Sequence, residues 1–168
     1  MLYLFLYSAS ALTQEETKAV SKYNNFISPS SKSYFIQHER DQIFQVKVLY
    51  KKEDLAQGFS GINPQQVGNH QGLFFYFPKS SERKFWMPNT FFNLMIIYLD
   101  DQLEVKKVIR NAPHHIGYKE NTERIYRAPP FVARYVLEFK ASSPFLMNIK
   151  PGSRFSWIKR HPPGFEQK

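Results

Sequence analysis

The sequence predicts an all-β domain, an antiparallel sandwich or jelly-roll-like barrel with at most one or two short helical turns. Short apolar runs recur along the chain, separated by Pro-, Gly- and Asn-containing turns, the spacing expected of many short strands. Aromatic side chains, which favour strands, make up 17% of the 168 residues: 16 Phe, 10 Tyr and 2 Trp. No stretch sustains the 3.6-residue apolar period of a long helix, which argues against βαβ architectures. A chain of this length fits one domain, which buries roughly 70% of the surface its unfolded chain exposes. It contains no Cys. Disulfides, thiol nucleophiles, Cys-ligated zinc and iron–sulfur clusters are therefore excluded.

Residues 1–14 carry no charged side chain. An apolar run, Leu2 to Tyr7, precedes the small residues Ser8, Ala9, Ser10 and Ala11. Ala9 and Ala11 form an A-x-A pattern, so residues 1–11 read as the remnant of a signal peptide that lacks its basic n-region. That reading places the protein in the periplasm or outside the cell. The alternative is a first strand or amphipathic segment on the core of a cytoplasmic protein. The run is too short for a transmembrane segment, which needs about 20 apolar residues. No Cys follows it to carry a lipid anchor.

Residues 15–40 are polar, with Ser28, Pro29, Ser30, Ser31 and Ser33 clustered, and 12–40 read as a flexible or loosely packed lead-in. The all-β domain is expected over 41–158. Phe44, Val46 and Val48 alternate with Gln45 and Lys47, the period of a half-buried strand. Residues 51–59 offer at best a short helix, and 61–70 read as loop. Residues 72–77 are a continuous apolar run ended by Pro78, too short for a helix and therefore a strand. Residues 85–87 and 94–99 are further runs. Asp100, Asp101 and Gln102 make a tight turn into a return strand over 103–110. Its alternation breaks at Lys106 and Lys107, which predicts a bulge.

Residues 112–130 form a long polar loop with three Pro and two adjacent His. From 134 to 140 the alternation resumes. It sets Tyr135, Leu137 and Phe139 on a core face and Arg134, Glu138 and Lys140 on the other. A helical turn over 144–150, a turn at Pro151-Gly152, a last strand over 153–158 and a mobile tail over 159–168 complete the chain.

Strong catalytic signatures are missing. There is no G-x-S-x-G elbow (Gly58-Phe59-Ser60-Gly61 only echoes it), no Gly-rich phosphate loop, no H-E-x-x-H and no EF-hand loop. This argues against the commonest enzyme classes without excluding an enzyme. His114 and His115 are adjacent, so in an extended segment they point to opposite sides. They read as a solvated pair, and no metal or cofactor is expected. His38, His70 and His161 are isolated in polar surroundings. Arg134 and Glu138 lie about 13 Å apart by strand rise and cannot pair directly.

The formal net charge is +9. Charge bears on partners, not on fold. The basic residues are scattered and the aromatics fall in apolar runs. This argues against nucleic-acid binding, which calls for one basic stripe with stacking aromatics. For an exported chain, anionic envelope polymers or lipid head groups are the better counter-charges.

Two stretches carry a resemblance. The first runs Gly72-Leu73-Phe74-Phe75-Tyr76-Phe77, then Phe85-Trp86-Met87-Pro88-Asn89-Thr90, then 94–100. The second runs Ala133-Arg134-Tyr135-Val136-Leu137-Glu138-Phe139, followed by 149–153. Their order and spacing resemble domain of unknown function 192, whose signature runs G-M-L-F-x-F, F-W-M-K-N-T, P-L-D-I-x-F, R-Y-V-L-E and I-x-x-G-D. Residues 55–59 are similar to its upstream G-L-M. The likeness spans about 43–158. It implies an all-β fold, agrees with an export signal and imports no activity. Three motif positions depart from the pattern: Pro88 replaces Lys, Met95 replaces Asp and Ser153 replaces the late Asp. An ionic site that used that Lys and Asp would be lost here.

Two classes of function follow. The first is a non-catalytic binding or cell-envelope accessory module, with an aromatic-walled, Arg-rimmed cleft for an anionic ligand or envelope component. Its site comprises Trp86, Asn89 and Thr90, the Arg134–Glu138 face, and His114, His115 and Tyr118 of the long loop, supported by Arg124, Tyr126 and Arg127. The second is a hydrolase-like enzyme that uses Glu138 with Asp100, or His114 and His115. A basic single-stranded nucleic-acid-binding domain is a further alternative. Trp86 either walls the cleft or fills the core, with Asn89 and Thr90 tying a turn. A Glu138 with a raised pKa in a pocket favours the enzyme, and a solvent-facing Glu138 favours the binding module. The fold reading predicts that residues 21–168 unfold in one cooperative thermal transition. A helix-dominated circular dichroism spectrum would overturn it.

Overall fold

The computed structural model describes residues 33–39, 42–117, 122–163 and 165. Seven strands form one curled sheet: β1 (Ser33–His38), β2 (Gln42–Leu49), β3 (Gln71–Arg83), β4 (Leu94–Leu99), β5 (Val105–Ala112), β6 (Phe131–Lys140) and β7 (Phe155–Ile158). Their order across the sheet is β5-β4-β6-β3-β2-β1-β7. The protein is all-β. One α-helix, α1 (Lys52–Gln57), and three 3-10 turns (Pro64–Gln66, Thr122–Arg124, Pro144–Leu146) exceed the expected number of helical turns. Neighbouring strands pair antiparallel except β2 and β3, which run parallel. The connection between these two, residues 50–70, contains α1 and covers the sheet.

Both edges of the sheet meet at one end. The Val105 amide donates to the Ser153 carbonyl (2.8 Å), Gly152 donates to Val105 (2.8 Å), and Phe155 donates to Leu103 (3.0 Å). Arg154 adds an ion pair to Glu104 at 3.2 Å. The sheet is therefore curled into a half-barrel, with β5 and β7 joined where they start.

Two apolar clusters sit on opposite faces. The inner one draws on every strand, with Ile36, Phe44, Phe74, Ile97, Val105, Leu137 and Phe155 among its members. The outer one lies mainly over β3, β4 and β6, with Leu49 of β2 and Ala112 of β5 at its margins. It packs Leu73, Phe75, Leu94, Ile96, Tyr98 and Val136 against Phe59, Val67, Met87 and Ala128 of the connections. Strands buried on both faces need apolar residues at successive positions, not alternate ones. That is why 72–77 and 94–99 read as unbroken apolar runs.

Several local expectations differ from the structure. A strand occupies Ser33–His38 in the segment read as a lead-in; its burial alternates strictly, with Tyr34, Ile36 and His38 inside. At the other end Phe165 is buried against Tyr135 and Trp157, so the segment read as a tail returns to the core. Residues 85–87 contribute only a bridge, Trp86 with Arg127. The expected bulge is present: Tyr98 faces Lys107 and Leu99 faces Val105, which leaves Lys106 as the extra residue. The reading of residues 1–11 lies outside the described residues.

Gly72 shows how closely the central strands approach. A Cβ there would lie 2.4 Å from Phe139 Cε1 and 2.7 Å from the Glu138 carbonyl oxygen. Overpacking of this kind costs about 1–3 kcal/mol. Gly72→Ala is therefore expected to lower unfolding stability by at least about 1 kcal/mol, read as a lower urea midpoint at unchanged slope.

Candidate functional site

Glu138 lies at the centre of β6, opposite Leu73 of β3 and Ile96 of β4. Its side chain faces the outer apolar cluster and is 4% exposed. It is not on a solvent face, as strand alternation alone suggests, because the connections cover that face. Gly58, at φ +51°, lies over it; a Cβ there would stand 3.3 Å from Phe75 Cζ and 3.5 Å from Glu138 Oε2. The positive φ favours glycine there, and a Cβ would press on the Phe75 ring while standing in ordinary contact with Glu138.

No group among the described residues donates a hydrogen bond to the Glu138 carboxyl, and no cation pairs with it. Burial alone raises its pKa from 4.5 to about 8. Tyr98 is a diagonal neighbour on β4, fully buried, with no partner for its hydroxyl among the described residues. Burial, then Glu138 and Tyr126, push its pKa above the ordinary phenol value.

Glu138 closes the floor of a cleft of about 300 Å³. Leu55, Gly58, Phe59 and Ser60 form one wall. Phe75, Phe77, Phe85 and Trp86 form the aromatic side, Pro88 and Thr90 the end, and Glu82, Arg83 and Lys84 the rim. Trp86 does not fill the core. It is 48% exposed, and the Arg127 guanidinium sits 5.7 Å from its ring centre. Two main-chain bonds fix that contact: Met87 donates to Tyr126 (3.1 Å) and Ala128 to Phe85 (2.8 Å). At the rim Lys84 pairs with Glu82 at 3.1 Å. Arg83 lies on the Phe77 ring at 3.7 Å and donates through Nε to Ala133 at 3.2 Å. Burial first, and then repulsion by Arg134, lower the Arg83 pKa.

The structure divides the expected site residues. Trp86, Thr90 and Glu138 line one cleft; Asn89, Arg134, His114 and His115 do not. Asn89, at φ 48°, and Thr90 tie the turn to the long loop. The Asn89 amide donates to the Gly117 carbonyl (2.9 Å), and Thr90 and His115 exchange main-chain bonds of 2.9 and 3.1 Å. His114 bonds to Asn93 Oδ1 through its ring (2.7 Å) and main chain (2.9 Å), away from the cleft. Asp100 caps its own turn, accepting from the amides of Gln102 and Glu104 at 2.9 Å each. Tyr118 lies outside the described residues.

Arg134 is carried away from Glu138. Ala133 packs in the outer cluster with Val136, so alternation fails between them, opposite the register shift of β3 between Tyr76 and Ser81. The Arg134 guanidinium rests over Tyr135 (5.2 Å) and Tyr76 (5.8 Å). Its Nε stands 3.5 Å from Asp101 Oδ1, an ion pair without hydrogen-bond geometry.

Sequence reasoning missed Gly58, Ser60, Phe75, Glu82, Arg83 and Lys84. Gly58 had a signal, the Gly58-Phe59-Ser60-Gly61 stretch, which serves the close approach and not a nucleophile turn. Ser60 donates to the Pro88 carbonyl at 2.9 Å. With Pro88 in place of the motif's Lys, that end of the cleft carries no cation.

The DUF192 family model, described as "Uncharacterized ACR", matches residues 35–157. The chain belongs to the domain of unknown function 192 family. No curated protein matches the sequence. A crystal structure from Sinorhizobium meliloti 1021, described as a candidate transcription regulator, aligns with a TM-score of 0.63 at 21% identity, covering 76% of this chain and 95% of that one. A protein of unknown function from Novosphingobium aromaticivorans DSM 12444 aligns with a TM-score of 0.58 at 21% identity, covering 78% and 91%. At that identity these likenesses establish the shared fold. Among the described residues of this member of the family, no helix is long and apolar enough to cross a membrane.

The raised Glu138 pKa makes stability depend on pH with a definite sign. The folded state holds the proton more tightly than the unfolded chain, so this group favours folding most at low pH. The stability is lost as pH rises from 4.5 to about 8, and no further above that. The stability of wild type relative to Glu138→Gln is expected to fall by a few kcal/mol across that window. Urea titrations at pH 5, 7 and 9 check this; parallel curves for the two proteins would refute it.

Proposed function

We propose that this protein is a non-catalytic binding module that holds a small apolar molecule, bearing a carbonyl or carboxylate oxygen, in the Glu138 cleft. The observation that carries this reading is a buried carboxyl, without a partner among the described residues, at the floor of an aromatic-walled cleft. Protonated at neutral pH, Glu138 is a hydrogen-bond donor. A ligand oxygen reaching the floor supplies the acceptor that no described residue offers. The aromatic wall takes the flat body of the ligand. Arg83 and Lys84 at the rim, against Glu82, tilt the balance toward an anion. The envelope location proposed with it rests on the sequence of residues 1–11.

A raised carboxyl in a pocket also suits a general acid. Acid–base hydrolysis needs a second group within reach of the same substrate atom or its water. Asp100, His114 and His115 all lie outside the cleft, so the binding reading is preferred. The regulator role proposed for the Sinorhizobium relative is not adopted, since both apolar clusters consume the strand aromatics that a nucleic-acid surface would expose.

Titration with benzoate and benzamide, followed by calorimetry at pH 6.5, tests the proposal. Saturable binding is expected, abolished in Trp86→Ala. A weakening of about tenfold in Glu138→Leu corresponds to one lost hydrogen bond. Wild-type affinity should fall above pH 8, and Arg134→Ala should bind normally. Unchanged binding in both cleft variants would overturn the proposal.

A further inference from the structure

A second cavity, of about 530 Å³, opens on the other side of the fold. It lies between the end of β1, the start of β2, the middle of β5 and the turn over 147–153. Its chemistry is unlike that of the Glu138 cleft. Arg110 and Lys150 both line it, and neither has a carboxylate within ion-pair reach among the described residues. Arg110 spends one Nη2 bond on the Ile149 carbonyl, 2.8 Å away, which aims the guanidinium without neutralising it. Glu39 is the one carboxylate in the lining, and its Oε1 accepts from the Arg154 amide at 3.0 Å.

The back of the cavity holds His38 and Ser153, 4% and 7% exposed. His38 Nε2 stands 2.8 Å from Ser153 Oγ. A serine and a histidine at that distance suggest a nucleophile and its base, but the serine is already committed. Its Oγ lies 2.7 Å from the Lys150 carbonyl oxygen, and a hydroxyl has one proton to donate. His38 Nε2 is therefore the donor to Ser153 Oγ, and the Lys150 amide donates there as well at 3.3 Å. The pair braces the 150–153 turn and, with it, the position of Lys150. Met147, 78% exposed, and Asn148 complete the mouth.

Gln42 supplies an independent mark of a missing partner. Its Oε1 is buried and makes no hydrogen bond among the described residues. An acceptor left dry costs free energy unless something donates to it. The cavity thus presents two unneutralised cations, one of them a forked guanidinium, beside an acceptor that lacks a donor. A phosphate group meets the two cations at once, with oxygens for both Arg110 and Lys150. Ser153 stands where the family motif has Asp, so Glu39 at the edge is the one carboxylate in the lining.

We propose that this cavity is a second binding site, separate from the Glu138 cleft, which takes the phosphate group of a small phosphorylated molecule.

Calorimetric titration of the full chain with inorganic phosphate, at ionic strength held constant with chloride, tests it. Saturable one-to-one binding is expected. Lys150→Gln, which leaves the main-chain bonds of the turn in place, should weaken it about tenfold, and so should Arg110→Gln. Lys52→Gln, on the exposed face of α1, removes the same charge elsewhere and should bind phosphate as wild type does. Acetate should bind more weakly than phosphate. Equal losses in Lys52→Gln and Lys150→Gln, stronger binding of acetate, or no saturable heat would each overturn the proposal.

Discussion

The structure depends on one constraint: β4, the first half of β3 and the second half of β6 have no solvent face. Their inner side builds the interior of the curled sheet, and their outer side is roofed by α1, the Phe85–Thr90 turn and the segment around Ala128. Burial on both sides sets the composition of these strands and forces Gly72 to stand bare against Phe139. It also removes water from Glu138, the one buried carboxyl they carry. Had the roof been absent, Glu138 would be an ordinary surface acid. Under it, the group is held neutral by the energetic cost of a desolvated charge.

Glu138 departs from the apolar composition of the positions that surround it on these strands. A buried carboxyl between Leu73 and Ile96 lowers the stability the cluster would otherwise have, and a residue of similar volume without the charge would pack there with less penalty. Sites where local consistency fails are expected to be functional ones. The aromatic cleft above Glu138 is what such a departure would serve. The cavity at Arg110 and Lys150 shows the opposite economy, with cations on the rim of the fold left unneutralised where water reaches them. One site turns on a lost charge and the other on a surplus.

Much of the fold was legible because periodicity reports burial directly. The strand over 94–99 is found where the apolar run lies, and Lys106 bulges where alternation breaks. What sequence could not supply was pairing. The strand at Ser33–His38 hides in a polar stretch because its outward positions are Ser, Phe and Gln, and only its neighbours β2 and β7 make it one. The site was half legible. Trp86, Thr90 and Glu138 come from distant stretches and meet. Arg134 sits on the same strand as Glu138 and does not join them, because alternation is interrupted between Ala133 and Val136 and no residue type announces that. Gly58 and the 82–84 rim were invisible, since their roles depend on where a connection folds back.

The way the sheet closes also has a consequence for the birth of the chain. β1 is completed by β7, and His38 meets Ser153 across a separation of 115 residues. During synthesis β1 and β2 can form their hairpin early, but the hairpin stays open-edged until the last strand is made. The interior cannot seal before then, because Phe155 comes from that strand and is one of its walls. A topology with such long-range pairing is slow to fold, and a nascent chain of this protein remains an incomplete sheet until Phe155–Ile158 is available.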